Sequence, residues 1–361
     1  MASGETTAAP NNTTLAGEVS GVIPDAVSGE KTTTDAPNST ALPGEISGVI
    51  PDEKTTTDAP NSTALPGEVS GVIPDSDIKE AAPATATPIQ ELWFLVKSNG
   101  HPEVWGVTLA NPDTHVPTQI VLQKYLNANE GDLKKAKDQL TKTLEWRAKK
   151  NPVELLKKKY NRNKFQGLGY VTTYGADSSD VEGREVFTWN IYGSVKNLEE
   201  TFGNLEEFLD WRVALMEEAL EALDISSATK PITAEHDPYK IIQVHDYKSI
   251  SFLRQSPVVK AASTETIKVF AQNYPELLKE KFFVNVPAFM GFIYTFMKLF
   301  VATKTIKKFH PMSNGANLAR ELATSSRVKG LAEQLPKEYG GKGADLDAIG
   351  KQPSLEDATA T

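Results

Sequence analysis

The chain has 361 residues, 22 prolines, no cysteine and a formal net charge of −9. Without cysteine there is no disulfide scaffold, no Cys-ligated zinc or iron and no c-type haem attachment motif. Residues 1–88 hold 13 acidic and 3 basic side chains, while the other 273 residues carry 34 acids and 35 bases and so offer nucleic acid no electrostatic footprint.

The first 88 residues contain 10 of the prolines and no Phe, Trp or Tyr. They bury too little apolar surface to offset chain entropy, which predicts a disordered acidic tail. EKTTTDAPNSTALPGEISGVIPD at 30–52 recurs at 53–75 with one Ile-to-Val change, and a shortened copy occupies 9–25. Each copy offers a few aliphatics around Pro and Gly, too few to stack as the layers of a solenoid. Residues 1–10 lack the basic start and apolar core of a signal peptide, so the expected location is cytoplasmic.

Order is expected from Ile89, where Leu92, Trp93, Phe94, Leu95 and Val96 come together. Residues 121–150 read as two helices, with Leu133, Ala136, Leu140, Leu144 and Arg147 at helical spacing on the second. Asn129-Glu130-Gly131-Asp132 supplies the turn and an N-cap between them. From about Lys164 strands alternate with helices. Residues 185–192, 240–247 and 282–286 are the strand candidates, and 205–223 and 263–273 the helices. This alternation predicts an α/β domain with a mostly parallel sheet, ending at Gly340-Gly341.

Several side chains stand out from that pattern. Arg212 falls on the apolar stripe of residues 205–223. There it either lines a polar cavity, paired, or is turned to the surface by an irregular helix. Period-two geometry sets Gln243, His245 and Tyr247 on one strand face, and Thr188, Asn190 and Tyr192 on a face of another. Coinciding polar faces under helices describe either an enclosed pocket or ordinary satisfied core groups. Residues 288–300 are apolar nearly all round, too short for the ~20 residues of a membrane span. They suit a buried helix or an interfacial one. There is no Walker loop, GxGxxG, GxSxG or HExxH, and the five histidines are scattered, so no catalytic set is expected.

The two N-terminal helices, LQKYLNANEGDLKKAKDQLTKTLEWRAK at 122–149, resemble the helical module of the CRAL-TRIO family of Sec-fourteen-like lipid exchange proteins. YPELLKEKFFVNVPAFM at 274–290, the stretch 291–301 and the closing YGGK at 339–342 resemble the same family. TWNIYG at 188–193, WRVALMEEAL at 211–220 and QVHDYKSIS at 243–251 are similar to its fungal, non-classical phosphatidylinositol transfer subgroup. The resemblance implies a helical N-lobe over 89–160 and an α/β ligand-binding lobe over 161–345, with a mobile gate helix near 288–300 over an internal pocket. Disordered tails at 1–88 and 346–361 complete the expected organisation.

In function it implies a non-enzymatic carrier of phosphatidylinositol between membranes, cytoplasmic and transiently peripheral to the endoplasmic reticulum. Glu276, Thr305 and Lys308 match the head-group positions, and a hydroxyl and a cation suit a phosphate while a carboxylate suits inositol hydroxyls. Asn129-Glu130 departs from the family, which has an Arg-Lys pair there. The subgroup is also associated with haem b, whose pocket positions match Tyr192, Arg212, His245, Tyr247 and Lys281. By this resemblance Tyr247 is the axial iron ligand with His245 beside it. Arg212 and Lys281 then pair with propionates or hold Tyr247 as phenolate. A dedicated haem sensor or store, with a role in oxidant stress, is the alternative, and a haem peroxidase the least supported.

Overall fold

The computed structural model describes residues 86–175, 181–249, 256–286, 305 and 307–357. The repeats of the acidic segment and the gate helix expected at 288–300 lie outside the described residues.

Order starts with α1 (Pro88–Asn99), closed by a reciprocal capping box between Thr87 and Gln90 and stopped by Gly100 in the left-handed region. A small hairpin, β1 (Glu103–Val104) and β2 (Val107–Thr108), leads to α2 (Val116–Ala128) and α3 (Leu133–Lys150). Asp132 caps α3 by accepting from the Lys135 amide, as its place in the turn predicts. The buried stripe of α3 is Ala136, Leu140, Thr143, Leu144 and Arg147. Short helices α4 (Pro152–Leu155) and α5 (Arg162–Phe165) flank β3 (Tyr160–Asn161).

The main sheet has the order β4 (Gly169–Gly175), β5 (Arg184–Ile191), β6 (Ile241–Asp246), β7 (Leu278–Val284), β8 (Phe309–Pro311). Only β4 runs antiparallel to its neighbour, so the sheet is mostly parallel as expected for an α/β domain. Between β5 and β6 come α6 (Leu198–Phe202) and the long α7 (Leu205–Leu223); α8 (Pro257–Asn273) precedes β7. One sheet face packs with α7, α8 and the N-terminal helices in one continuous apolar core that runs from Leu92 to Leu277. On the opposite face, Phe187, Trp189, Ile242, Val244 and Phe282 pack on α9 (Leu318–Ser325) and α10 (Leu331–Gln334). Among the described residues no helix is long and apolar enough to cross a membrane.

The expected end of order at Gly340-Gly341 and the disordered tail from 346 are corrected by the structure. Both glycines are packing positions. A Cβ on Gly340 would lie 2.0 Å from the Ala316 carbonyl oxygen, and one on Gly341 2.0 Å from that of Leu335. Beyond them α11 (Leu346–Ile349) buries Leu346, and Lys351 exchanges backbone hydrogen bonds of 2.7 and 2.9 Å with Val171. β9 (Leu355–Glu356) then pairs in parallel with β3.

An ion pair buried between layers joins the N-terminal helices to the α/β part. Arg147 of α3 is fully buried, and its Nη1 donates to Glu217 Oε1 of α7 at 2.8 Å. Its other donors reach Glu103 at 2.7–3.0 Å, and the Tyr274 hydroxyl donates to Glu217 at 2.6 Å. Removing one partner of such a pair strands the other without solvent. Arg147→Met should therefore cost about 3–5 kcal/mol in urea unfolding. Adding Glu217→Leu should recover a large part of that loss, because the carboxylate left behind, Glu103, is 20% exposed and keeps water.

Candidate functional site

Strand register sets the polar residues in two rows. Thr188, Gln243 and Lys281 align across β5, β6 and β7, as do Asn190, His245 and Phe283. Tyr192 follows β5 in a short 3-10 turn, and the Tyr247 amide, just past β6, donates to the Val284 carbonyl at 3.0 Å. These rows face α7 and α8, so the polar faces expected from the sequence do coincide under helices.

His245 is buried and tied at both nitrogens. Nδ1 shares a 2.9 Å hydrogen bond with the Tyr192 hydroxyl, and Nε2 lies 3.4 Å from the Asn190 amide nitrogen. Ring centroids of Tyr192 and Tyr247 are 5.2 Å apart, and those of His245 and Phe283 5.6 Å. Arg212 of α7 is 4% exposed, facing inwards as its place on the stripe predicts. Its guanidinium lies 5.1 Å from the centre of the Phe270 ring of α8. Lys281 Nζ lies 5.5 Å from the centre of Phe283 and 5.7 Å from that of Phe309.

The electrostatics of this group are unusual. Among the described residues, neither Arg212 nor Lys281 meets a carboxylate or a hydrogen-bond acceptor for its side chain, and the Tyr247 hydroxyl has no hydrogen-bond partner. Burial, reinforced by Arg212, pulls Lys281 down to about 7. Burial, then Lys281 and Arg212, hold His245 well below the usual imidazole range, so it stays neutral. Burial and the neighbouring Tyr192 push Tyr247 well above the ordinary phenol range. Arg212 acts on Tyr192, where it opposes the effect of burial. Arg212, buried and without a carboxylate partner among the described residues, suits an anion, as does the half-buried Lys281 when protonated, and aromatic walls suit a flat apolar body. The donor set thus fits haem, with its two carboxylates. Among the described residues no three His, Cys, Asp or Glu side chains gather as a metal site.

The second expected set assembles at the other end of the strands. Glu276 precedes β7, and Lys308, just before β8, donates its ammonium to the Leu278 carbonyl at 2.8 Å and its amide to the Thr305 carbonyl at 3.1 Å. Burial lowers the Lys308 pKa, and the Glu276 carboxylate opposes that shift. Glu276, Thr305 and Lys308 are thus brought together. Sequence reasoning passed over Lys124 of α2, which is fully buried here and donates to Asp237 Oδ2 at 2.7 Å, the Tyr239 carbonyl at 2.9 Å and the Glu276 carbonyl at 3.0 Å. Asn129, in the turn that lacks the expected cations, donates to Gln139, which in turn donates to the Ala271 and Gln272 carbonyls at the end of α8.

Comparison with known proteins gives a consistent result. The CRAL/TRIO domain family matches residues 172–341. The chain is 73% identical over 271 residues to a protein of Chaetomium globosum named phosphatidylinositol transfer protein SFH5, covering 75% of this chain and 62% of that one. The match therefore spans less than two thirds of that relative's length. The Neurospora crassa protein of the same name is 59% identical over 283 residues, covering 76% of this chain and 78% of its own. The Pyricularia oryzae protein is 63% identical over 281 residues, covering 76% and 69%. A crystal structure of Sfh5 superposes with a TM-score of 0.59 at 26% identity, covering 74% of this chain and 93% of that one.

The pKa of Lys281 leads to a pH dependence with a defined sign. Its folded value of about 7 lies below the ordinary 10.5, so between these the unfolded chain holds a proton that the folded one has released. Stability of the ligand-stripped protein should then rise with pH from 7 towards 10, with this group adding up to ~1.4 kcal/mol per pH unit. Urea midpoints across that range should show a shallower rise for Lys281→Met.

Proposed function

The chain belongs to the CRAL/TRIO family, among the fungal Sec-fourteen-like phosphatidylinositol transfer proteins, and from that we propose that it binds phosphatidylinositol and carries it between membranes. The observation that carries this reading is the convergence of Glu276, Thr305 and Lys308 at the start of β7 and β8. A phosphodiester takes a hydrogen bond from the threonine hydroxyl and charge from the lysine, while the carboxylate accepts from inositol hydroxyls. Nothing in this cycle needs a catalytic step. The carrier works from the cytoplasm, touching the endoplasmic reticulum or other membranes at their surface while it exchanges lipid.

A second ligand, haem b, is supported by the buried Arg212 and the half-buried Lys281, neither of which has a carboxylate partner among the described residues. When bound, haem supplies a ferric iron that takes an oxygen ligand, and two carboxylates that take cations. Tyr247 would hold the iron through its hydroxyl oxygen, and Arg212 and Lys281 would take the carboxylates. Because burial raises the Tyr247 pKa, its phenol holds its proton in the ligand-free pocket. His245 stands behind Tyr192, and it orients that ring through the Nδ1 hydrogen bond. A haem-binding carrier of this kind would serve in oxidant stress, and a dedicated haem store with little lipid exchange is the limiting case.

Vesicle assays test the lipid reading. Lys308→Ala or Thr305→Asp should lower phosphatidylinositol transfer by roughly tenfold or more, the value of one charge-assisted hydrogen bond. Unchanged transfer removes the head-group assignment. For the second ligand, the purified protein should show a strong Soret band that Tyr247→Phe shifts or abolishes. A protein that stays colourless after haem is added returns Tyr247 and His245 to the role of pocket wall.

A further inference from the structure

We propose that Lys124 is the positioning residue of the head-group site: it touches no ligand, but fixes the backbone from which the Glu276 carboxylate projects. The proposal rests on the head-group reading above.

Three features carry it. An ammonium has three hydrogens, and those of Lys124 are all in use, on Asp237, the Tyr239 carbonyl and the Glu276 carbonyl. With none left for a phosphate, and with no exposure to solvent, Lys124 cannot itself be a head-group contact. The residue whose carbonyl it holds is also conformationally unusual. Glu276 has φ +56°, a left-handed backbone that a residue with a Cβ adopts only when its surroundings enforce it.

The rest of the turn is held in the same way. A helix leaves its last carbonyls without intrahelical donors. At the end of α8 the donors come from the N-terminal helices and their hairpin. Gln139 donates to Ala271 and Gln272, the Thr143 hydroxyl to Gln272 at 3.2 Å, and the Trp105 indole to Asn273 at 3.0 Å. The Tyr274 hydroxyl is fixed on Glu217. Lys124 completes this series at the last residue, the one that carries the carboxylate. The N-terminal helices thus act as a template for residues 271–276, and head-group recognition is set from outside the site.

The test compares three proteins in a phosphatidylinositol vesicle-transfer assay: Lys124→Met with Asp237→Asn, which removes the grip without leaving a lone buried charge; Glu276→Gln; and all three changes together. The paired variant should fold and lose about tenfold in transfer. Its loss should match that of Glu276→Gln within about a factor of two, and the triple variant should lose no more, because all three abolish one interaction. A folded paired variant with normal transfer overturns the proposal, as do losses that multiply in the triple variant. If the paired variant does not fold, Lys124→Gln with Asp237→Asn, which keeps a hydrogen bond across the pair, is held to the same outcomes. A chain that unfolds with both pairs makes Lys124 a strut of the fold and likewise overturns the proposal. Normal transfer by Glu276→Gln alone overturns instead the head-group reading beneath it.

Discussion

The buried contact of Arg147 with Glu217 is the constraint on which the remaining structure depends. A guanidinium and a carboxylate removed from water repay their desolvation only if nearly every donor and acceptor is matched. Here Glu103 and the Tyr274 hydroxyl complete the set, so α3, the β1 hairpin, α7 and the turn after α8 meet at one point. A slip of α3 by one residue would take Arg147 away from both carboxylates. The helical part is thereby registered against the α/β part, and the turn bearing Glu276 inherits that register.

The buried cations divide into two classes. Arg147 and Lys124 have every strong donor matched, and they hold layers together. Among the described residues Arg212, on the inner side of α7, and Lys281, on β7, meet aromatic faces and no carboxylate. An unmatched buried charge such as Arg212 works against folding, so a chain that retains one has a use for it. Matched and unmatched cations thus separate the scaffold from the pocket more clearly than burial does, because Arg212 is buried as Arg147 and Lys124 are.

Periodicity made the pocket legible. Arg212 interrupts a 3.6-residue stripe, and the period of two sets His245 and Tyr247 on one face, so these were readable without coordinates, whereas the contact of His245 with Tyr192 was not. Long-range matching was not legible. Lys124 looks like a surface lysine until Asp237, 113 residues away, is placed beside it. β7 was expected only from Phe282, because its opening residues Leu278-Lys279-Glu280-Lys281 are mostly charged. Other strands of the sheet explain this: Glu185 of β5 meets Lys279, and His310 of β8 meets Glu280 at 2.6 Å. β4 escaped notice because its Gly and Thr content resembles a loop, and its strand character comes from pairing with β5. The glycines at 340 and 341 looked like a terminus, although they are there because neighbouring carbonyls leave no room for a side chain.

The pairing of β9 with β3 bears on how the chain is made. β3 is synthesised nearly two hundred residues before Leu355, yet its edge is closed only when that segment arrives. Arg162 likewise waits for Asp357, and Val171 for Lys351. On a ribosome that emits ~5–20 residues per second, this edge and the outer side of β4 stay open for roughly ten seconds or more. In that interval two strand edges are accessible to other nascent chains or to chaperones.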